Sequence, residues 1–270
     1  MSGDPKSTPE LSLVFPVYDE EENVGRLIET ARQIATRLGR SFEIVVVDDG
    51  SSDGSLDIIE QWCDLDARVR CVRHAANDGY GAALRSGLRE ARGDLVFFSD
   101  ADLQFDLSEL EKLLEHTDHF DIVAGYRSPR RDPWHRLAIA WVWGALVRIV
   151  FGLRVHDVDC AFKVFRRDVL RAIPIASVGA FVNTEILVRA IAKGFRIREV
   201  PVSHRRRQHG QQTGARPRVL WRALREGMAL YTELRRHTEL RREAGGGWTR
   251  TGTSAAERRR EGGPPTCTSG

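Results

Sequence analysis

The sequence contains few cysteines, and none of them form closely spaced pairs. Four cysteines are scattered along 270 residues without a CxxC motif, at Cys63, Cys71, Cys160 and Cys267. Zinc sites and disulfide-stabilised secreted domains both depend on clustered cysteines, so neither class is indicated. A chain of this length, 41% hydrophobic, is large enough to bury its own core without cross-links. We therefore expect a reducing, cytoplasmic compartment.

The sequence also lacks a long apolar segment. The longest uncharged apolar stretch, Leu137 to Val147, is shorter than the roughly 18 residues that a membrane-spanning helix needs. The first ten residues, MSGDPKSTPE, have no apolar core and do not read as a signal peptide. We expect a cytoplasmic protein without a transmembrane helix, whose contact with a membrane, at its inner face, is peripheral.

Positive charge is concentrated towards the carboxyl end. Between His204 and Arg242 there are 11 Arg and 3 Glu, although the formal net charge of the whole chain is only +3. The rest of the chain is therefore net acidic. An anionic partner such as phosphate or a membrane surface is expected for the basic segment 204–242. Nucleic acid is not expected, because the arginine run lacks interleaved aromatic residues and no nucleic-acid-binding motif is visible.

Short apolar runs alternate with helical patterns through the first half of the chain. The runs predicted as buried strands are 11–17, 42–47, 69–73, 95–98 and 121–125. Repeated β–α units with short connections predict an α/β fold with a mainly parallel central sheet flanked by helices and with right-handed crossovers. After residue 125 the alternation breaks, and a last strand is predicted near Ile197 to Val202.

The predicted domain organisation follows from these patterns. Residues 1–10 are a flexible leader, and 11–216 form the α/β domain. A helix is predicted over 217–243. The tail 244–270 is rich in Gly, Ser, Thr, Arg and Pro, a composition typical of disorder.

Two acids follow the fourth predicted strand directly after it ends. In the stretch GDLVFFSDADLQFD, residues 93–106, Asp100 and Asp102 are two residues apart and point the same way on extended chain. Unpaired carboxylates so placed repel each other, and a hard divalent cation such as Mg²⁺ or Mn²⁺ relieves the repulsion. For this stretch alone, a solvated acidic turn is the alternative.

Two more strand ends are expected at the same edge of the sheet. Asp48 and Asp49 follow the second strand, and the segment 16–20, PVYDE, follows the first. The carboxyl ends of parallel strands share one edge, where open α/β folds bind their ligands. Three such strand ends together predict a pocket for a nucleotide and a metal ion.

Gly79 and Gly81 resemble half of a dinucleotide-binding fingerprint. The third glycine is missing, because position 84 is Leu, and the motif follows the third strand rather than the first. The sequence therefore argues against an NAD site. A tight turn close to a ligand is the better interpretation of these glycines.

Four motifs in order carry a family resemblance: FPVYDEEENV, VVVDDGSSDGS, NDGYGAALRSGL and FFSDADLQ. From about Leu11 to Gly214 the chain resembles the family 2 glycosyltransferases, which have the GT-A fold and transfer a sugar from a nucleotide-sugar donor with inversion. Two later segments, HDVDCAFKVFRR and RRRQHGQQT, are most similar to polyprenyl-phosphate sugar transferases such as the dolichol-phosphate mannose synthases. The resemblance implies a GDP- or UDP-linked hexose as donor and a polyprenyl or dolichyl phosphate as acceptor.

The resemblance also implies roles for individual residues. The residues that it assigns to nucleotide-sugar binding are Pro16, Tyr18, Glu20, Asp49 and Asp100. It assigns the binding of Mg²⁺ or Mn²⁺, which bridges the donor diphosphate, to Asp100, Asp102 and Gln104. It assigns contacts with phosphates of the donor or the acceptor to Arg127, Arg207 and Gly210. The last loop usually reads Arg-x-x-Gly-x-Ser in that group, and this sequence departs from the pattern by having no Ser there.

The chemistry of the acceptor separates two hypotheses. A lipid monophosphate has a second pKa of about 6, so it is largely dianionic at pH 7 and needs arginines rather than a base. A soluble hydroxyl acceptor, a saccharide or a natural product, needs a positioned general base, for which Glu185 is the candidate. Glu185 is equally well explained as a polar helix residue. A non-catalytic module that binds nucleotide sugars is a third possibility.

Asp157 and Asp159 repeat the spacing of two residues between acids. Both are candidates for the acceptor side of the pocket. For Asp157, capping a turn is the alternative.

The segment Trp134 to Phe151 is apolar almost all round. Such a helix is either buried in a core or placed at a membrane interface, where Trp is favoured and flanking Arg136 and Arg148 meet lipid phosphates. Given a lipid acceptor, we expect the interfacial position. The basic segment 204–242 fits the same peripheral contact.

Overall fold

The computed structural model describes residues 8–129, 134–205 and 217–243. Within these ranges a seven-stranded sheet is flanked by helices. The strands are β1 Leu11–Val17, β2 Phe42–Asp48, β3 Val69–Arg73, β4 Leu95–Ser99, β5 Ile122–Arg127, β6 Phe162–Arg166 and β7 Ile197–Val202. The helices are α1 Glu21–Arg37, α2 Ser55–Leu65, α3 Tyr80–Glu90, α4 Leu110–Leu114, α5 Trp134–Phe151, α6 Arg167–Ala172, α7 Val182–Ala192 and α8 Pro217–Glu243, with a 3₁₀ turn at Leu107–Glu109.

The strand order is β3-β2-β1-β4-β6-β5-β7, and β1 lies near the centre of the sheet. It pairs in parallel with β2 and β4, so that Val14 lies beside Val45 on one side and Phe98 on the other. Every residue of β1, β2 and β4 is buried. A strand covered on both faces needs a continuous apolar run, which is why these three were recognisable in the sequence.

Strand β6 is the antiparallel member of a sheet that is otherwise parallel, which agrees with the predicted mainly parallel sheet. It runs antiparallel to both β4 and β5, between which it lies. No strand was predicted for residues 162–166, within whose apolar run Lys163 stands. The sheet is therefore mixed. Since β6 is antiparallel to both neighbours, β5 and β7 run in the same direction as β1 to β4.

Aromatic rings form the core beneath β4 and β6. Phe97 contacts Phe15 and Phe162 edge to face, with ring centroids 6.3 and 4.8 Å apart. On the other face of the sheet, Phe98 stacks on Phe165 at 5.9 Å. Buried aromatic pairs of this kind add about 0.5–1.5 kcal/mol each to the free energy of burial. They fix the strand that ends in the two acids.

Helix α1 shows how a flanking helix packs. Its buried side chains recur every three or four residues and so form one apolar stripe: Val24, Leu27, Ile28, Ala31 and Ile34. Glu21 and Glu22 occupy its first turn and Arg37 its last, which suits the helix dipole at both ends. The helix is thereby held directly after the first of the strand ends that form the site.

Helix α5 exposes much of its apolar surface. Trp141 is 75% exposed and Ile149 is 82% exposed, whereas Val147 is buried. The helix is therefore not a fully buried core helix. None of the helices in the described ranges is long and apolar enough to cross a membrane.

The chain divides into two compact units, Met1–Leu230 and Tyr231–Gly270. The first contains the whole sheet and the first half of α8. In the described part of the second, the Arg235 guanidinium lies over the Tyr231 ring at 5.4 Å from its centroid. The predicted boundaries at 10/11, 216/217 and 243/244 remain predictions, and the predicted tail 244–270 lies outside the described residues.

Candidate active site

The ends of β1, β2 and β4 meet at one edge of the sheet, as their parallel pairing requires. Val17 lies beside Asp48, and the Asp49 N–H donates to the Val17 carbonyl oxygen at 2.8 Å. Strand β5 ends at the same edge with Arg127. The acids and the arginine that the sequence placed at separate strand ends therefore share one edge.

Asp100 is the most perturbed acid at this edge. Its Oδ1 is buried and has no hydrogen-bond partner within the described structure. Burial, followed by the negative charge of Asp102, raises the pKa of Asp100 to about 7. The next turn is tight, because Leu103 has a positive φ of 56° and the Gln104 N–H donates to Asp102 Oδ1 at 3.1 Å. A non-glycine residue in this conformation is strained, and such strain is common at functional sites.

This pair of acids fits a divalent cation. An orphaned, buried carboxylate oxygen is the kind of atom that a hard cation satisfies. Among the described residues, no group of three or more His, Cys, Asp or Glu side chains is arranged to hold a metal by itself. Mg²⁺ is usually bound by one or two carboxylates together with substrate phosphates, so Asp100 and Asp102 suffice only when a phosphate ligand joins them.

The side chain of Gln104 joins two loops. Its amide nitrogen donates to the Arg205 carbonyl oxygen at 2.9 Å, and the Arg205 N–H donates to the Gln104 carbonyl oxygen at 2.8 Å. The segment after β7 is thereby held against the acidic turn. The role of Gln104 as a metal ligand remains a prediction.

A buried polar cluster that the sequence did not predict lies behind Asp100. Lys163 on β6 is 1% exposed, and its Nζ donates to the carbonyl oxygens of Val158 and Cys160 and, at 3.3 Å, to Asn183 Oδ1. Burial lowers the pKa of Lys163. The only hint in the sequence was a lone Lys inside the apolar run AFKVF.

Tyr80, at the start of α3, faces the same cluster. Its hydroxyl is buried. Burial, and then the charge of Asp100, raises the pKa of Tyr80 well above its ordinary value. The Tyr80 hydroxyl, and then the positive charge of Lys163, act in the opposite direction and lower the pKa of Asp100. Tyr80 and Lys163 therefore set the electrostatic environment of the acid.

Asp49 organises the glycine turn that precedes α3. Its Oδ1 accepts the Asp78 N–H at 3.1 Å and contacts His74 Nδ1 at 2.7 Å, and its Oδ2 accepts the Gly79 N–H at 2.9 Å. Gly79 has a φ of 102°, and a Cβ there would lie 2.7 Å from the Val178 carbonyl oxygen. A glycine is therefore required at 79. The observed role of Asp49 is to hold this turn, and its role in nucleotide binding remains a prediction.

The three other predicted donor-binding residues follow β1. Pro16 is buried within the strand and lies beside Val47. Tyr18 is 45% exposed at the edge. The Glu20 N–H donates to Ser55 Oγ at 2.8 Å, and its Oε2 accepts from Asn23 Nδ2 at 2.7 Å. Of the three, Tyr18 is the side chain most available to a ligand.

Arg127 is bound to Asp157. Its Nε and Nη2 donate to the two carboxylate oxygens of Asp157, at 2.6 and 2.8 Å, and both side chains are largely buried. Asp157 thus has an ion-pairing partner at the end of β5, and its place on the acceptor side of the pocket remains a prediction. The contact of Arg127 with a phosphate remains a prediction.

Glu185 is buried and fully engaged. Its carboxylate accepts the N–H groups of Ala176 and Ser177 and the Nε–H of Arg189, the shortest two at 2.8 Å. These contacts hold the segment before α7 against that helix. They are the contacts of a positioning group, and they give its predicted catalytic role no support. Arg207 and Gly210, the remaining predicted residues, lie outside the described residues.

The architecture is that of the GT-A class. The chain superposes on the structure of glucosyl-3-phosphoglycerate synthase from Mycobacterium tuberculosis, in complex with Mn²⁺, UDP and phosphoglyceric acid, with a TM-score of 0.64. The match covers 84% of this chain and 78% of that one at 19% sequence identity, which establishes the fold alone. The predicted α/β fold of GT-A type is confirmed.

Within that class, the chain belongs to glycosyl transferase family 2, whose family model matches residues 12–173. It is 32% identical over 204 residues to the undecaprenyl-phosphate 4-deoxy-4-formamido-L-arabinose transferase of Edwardsiella ictaluri, covering 74% of this chain and 62% of that protein. It is 29% identical over 214 residues to the dodecaprenyl-phosphate galacturonate synthase of Rhizobium johnstonii, covering 77% and 63%. The chain thus spans less than two thirds of the length of these curated relatives. The predicted family is confirmed.

Proposed function

We propose that the chain is an inverting glycosyltransferase that passes a hexose from a GDP- or UDP-sugar to a polyprenyl phosphate. The observation that carries this proposal is the buried, unsatisfied Asp100 oxygen beside Asp102 at the carboxyl edge of the sheet. The relatives at about 30% identity, which are named as undecaprenyl- and dodecaprenyl-phosphate sugar transferases, support it.

The donor nucleotide binds across the ends of β1 and β2. Tyr18 presents an exposed ring against which a base can lie, with Pro16 and Glu20 beside it. Asp49 fixes the Asp78–Gly79 turn and so shapes the opposite wall. The identity of the base and of the sugar depends on these walls.

The donor diphosphate lies against the acidic turn. Asp100 and Asp102, with Gln104 beside them, would hold Mg²⁺ or Mn²⁺. When bound, that ion stabilises the negative charge of the departing diphosphate. Asp100 must be deprotonated to serve as a ligand, and the neighbouring Lys163 favours that form.

The acceptor phosphate attacks the anomeric carbon. One of its oxygens forms the new C1–O bond while the C1–O bond to the diphosphate breaks, and the configuration at C1 inverts. No proton needs to move, because the phosphate is already largely dianionic at pH 7. Arg127, held by Asp157, and Arg207 supply the positive charge that brings two anions together.

The acceptor lipid implies peripheral contact with the cytoplasmic face of a membrane. The exposed apolar residues of α5, such as Trp141 and Ile149, suit the interface between headgroups and acyl chains. The basic segment 204–242 adds attraction to anionic lipids.

A soluble hydroxyl acceptor is the competing hypothesis. It requires a general base, for which Glu185 was the candidate. Because Glu185 already accepts hydrogen bonds from two backbone N–H groups and from Arg189, its contacts favour the phosphate acceptor.

Incubation of the protein with nucleotide sugars, Mn²⁺ or Mg²⁺ and a polyprenyl phosphate tests the proposal. We expect a glycolipid product with one donor, and its loss on chelation and in Asp102→Ala. The exposed acid Asp118, changed to Asn, is the matched control and should retain activity. Absence of product with every common donor would reject the proposal, and transfer to a soluble saccharide in the absence of lipid would favour the competing hypothesis.

A further inference from the structure

A wide apolar groove lies between α5 and the first half of α8. Its volume is about 970 Å³, at the upper end of the range typical of ligand-binding pockets. Leu146 and Val150 of α5 line one side, and Trp221, Leu224 and Met228 of α8 line the other. The groove is separate from the acidic turn described above, and no predicted site residue lines it.

The apolar side chains of this groove are unusually exposed. Trp221 is 74% exposed, Met228 is 65% exposed and Leu224 is 44% exposed. A contiguous patch of large apolar side chains in contact with water marks a binding surface, because covering it removes that area from water. A hydrocarbon ligand fits this requirement.

Positive charge borders the same groove. Arg218, Arg222 and Arg225 line it, and all three are exposed. Their spacing of four and three residues places them on one face of α8. Oε1 of the nearby Glu226 accepts hydrogen bonds from the backbone N–H groups of Val178 and Gly179, at 3.2 Å each. A ligand with an apolar chain and an anionic head complements this combination of surfaces.

The floor of the groove and the acidic site are connected through the start of α7. Phe181 is 1% exposed and contacts the rings of Trp143 and Phe151, at 6.0 and 6.3 Å between centroids. It directly precedes α7, in whose first turn Asn183 accepts a hydrogen bond from Lys163, the lysine behind Asp100. The groove and the metal-binding turn therefore lie on either side of the first turn of α7.

We propose that this groove binds the isoprenoid chain of the acceptor, and that Arg218, Arg222 and Arg225 attract its phosphate in addition to Arg127 and Arg207. The inference rests on the proposed function, because it takes the acceptor to be a polyprenyl phosphate. It gives the lipid chain a defined place on the protein surface, distinct from the exposed face of α5 that carries Trp141.

Binding of farnesyl phosphate, a short water-soluble isoprenoid phosphate, tests the groove without donor or metal. Trp143 and Trp221 line the groove, so their fluorescence reports occupancy. We expect saturable binding to the full chain. Leu146→Glu, which places a charge in the groove, should weaken it at least about tenfold. Val142→Glu is the matched control, since Val142 is exposed on the same helix one turn earlier and does not line the groove; its affinity should stay within about twofold.

Two further variants distinguish binding of the isoprenoid chain from binding of the phosphate. Met228→Glu should repeat the loss, and Met228 is exposed enough that folding is not at issue. The double variant Arg218→Gln/Arg225→Gln should reduce the preference for farnesyl phosphate over farnesol. Equal losses in Leu146→Glu and Val142→Glu would indicate general adsorption to an apolar face and overturn the proposal. Absence of binding to the unaltered chain would overturn it as well.

The transfer assay distinguishes this inference from the proposed function. Specific binding in the groove without transfer from any donor would reject the function and leave the groove in place. Glycolipid formation with an unchanged acceptor KM in Leu146→Glu would reject the groove and leave the function in place.

Discussion

Arg127 and Asp157 form a two-point ion pair in which Nε and Nη2 of the arginine donate to separate carboxylate oxygens. Asp157 also accepts the Arg127 backbone N–H at 3.3 Å. The pair joins the end of β5 to the segment that leads into β6. The orientation of the Arg127 guanidinium at the edge of the sheet is therefore set by Asp157.

Loss of the Asp157 charge should destabilise the fold. The Asp157 side chain is 5% exposed and that of Arg127 is 14% exposed, so Asp157→Asn removes the charge of a carboxylate that binds a largely buried guanidinium at two points. We expect the free energy of unfolding to fall by on the order of 3 kcal/mol, as measured by urea denaturation. Lys112→Gln removes an ion pair whose lysine side chain is 54% exposed and leaves Glu109, which also accepts the Ser203 N–H, with a hydrogen-bond donor; it should change the free energy of unfolding by at most about 1 kcal/mol. Equal effects of the two substitutions would contradict the buried character of the Arg127 pair.

Metal binding should depend on pH through Asp100. Because burial and Asp102 raise the pKa of Asp100 to about 7, protons compete with the cation below that pH. The apparent affinity for Mn²⁺ in the presence of UDP should fall about tenfold for each pH unit below 7 and level off above it. In the absence of metal, the folded state holds this proton more tightly than the unfolded state does. The free energy of unfolding should therefore fall, through Asp100, as pH rises from about 4 to 7. Calorimetric titration and thermal unfolding across this range measure the two effects, and a flat metal affinity would refute the assignment.

Lys163 should shift that pH dependence. Its positive charge is one of the interactions that lower the pKa of Asp100, so Lys163→Met should raise the pKa further and move the midpoint of Mn²⁺ binding to higher pH. A loss of stability alone, with the midpoint unchanged, would show that Lys163 only supports the carbonyl groups of Val158 and Cys160. Lys193→Met, at the exposed end of α7, is the matched control and should leave the midpoint in place.

The parallel strands were predictable because each is buried on both faces. Runs such as LSLVFPV and FEIVVV are buried along their whole length, as the interior strands of a parallel sheet are. Their direction then followed from the short β–α connections, and that placed Asp49, Asp100 and Asp102 at one edge. This part of the candidate site needed only local pattern and topology.

Strand β6 and the cluster behind Asp100 could not be predicted in the same way. A buried lysine is stable only where several acceptors surround it, and those of Lys163 come from a preceding loop and from α7. Likewise, the engagement of Glu185 depends on the backbone of residues 176 and 177. Long-range partners of this kind leave no periodic signal in the sequence.

Glu185→Gln should separate positioning from catalysis. An amide offers one acceptor oxygen where the carboxylate offers two, and its NH₂ faces N–H donors of Ala176 and Ser177. We expect the free energy of unfolding to drop by about 1–3 kcal/mol, while the transfer rate per folded molecule falls less than about tenfold. A general base would account for about 10²–10⁴-fold in rate. A rate loss of that size in folded protein would restore Glu185 as a catalytic residue and favour a hydroxyl acceptor.

Substitution by alanine should change the free energy of unfolding in opposite directions at Gly81 and at Gly144. A Cβ at Gly81 would lie 2.6–2.8 Å from backbone atoms of residues 177–179, including the carbonyl oxygens of Ser177 and Gly179. Since backbone cannot move aside as a side chain does, Gly81→Ala should lower the free energy of unfolding by about 1–3 kcal/mol. A Cβ at Gly144, inside α5, would meet nothing within 4 Å, so Gly144→Ala should raise it by about 0.5–1 kcal/mol through helix propensity. Urea denaturation of the two variants measures both. A Gly81→Ala protein as stable as the unaltered chain would contradict the close packing of the start of α3 against residues 177–179, the segment before α7.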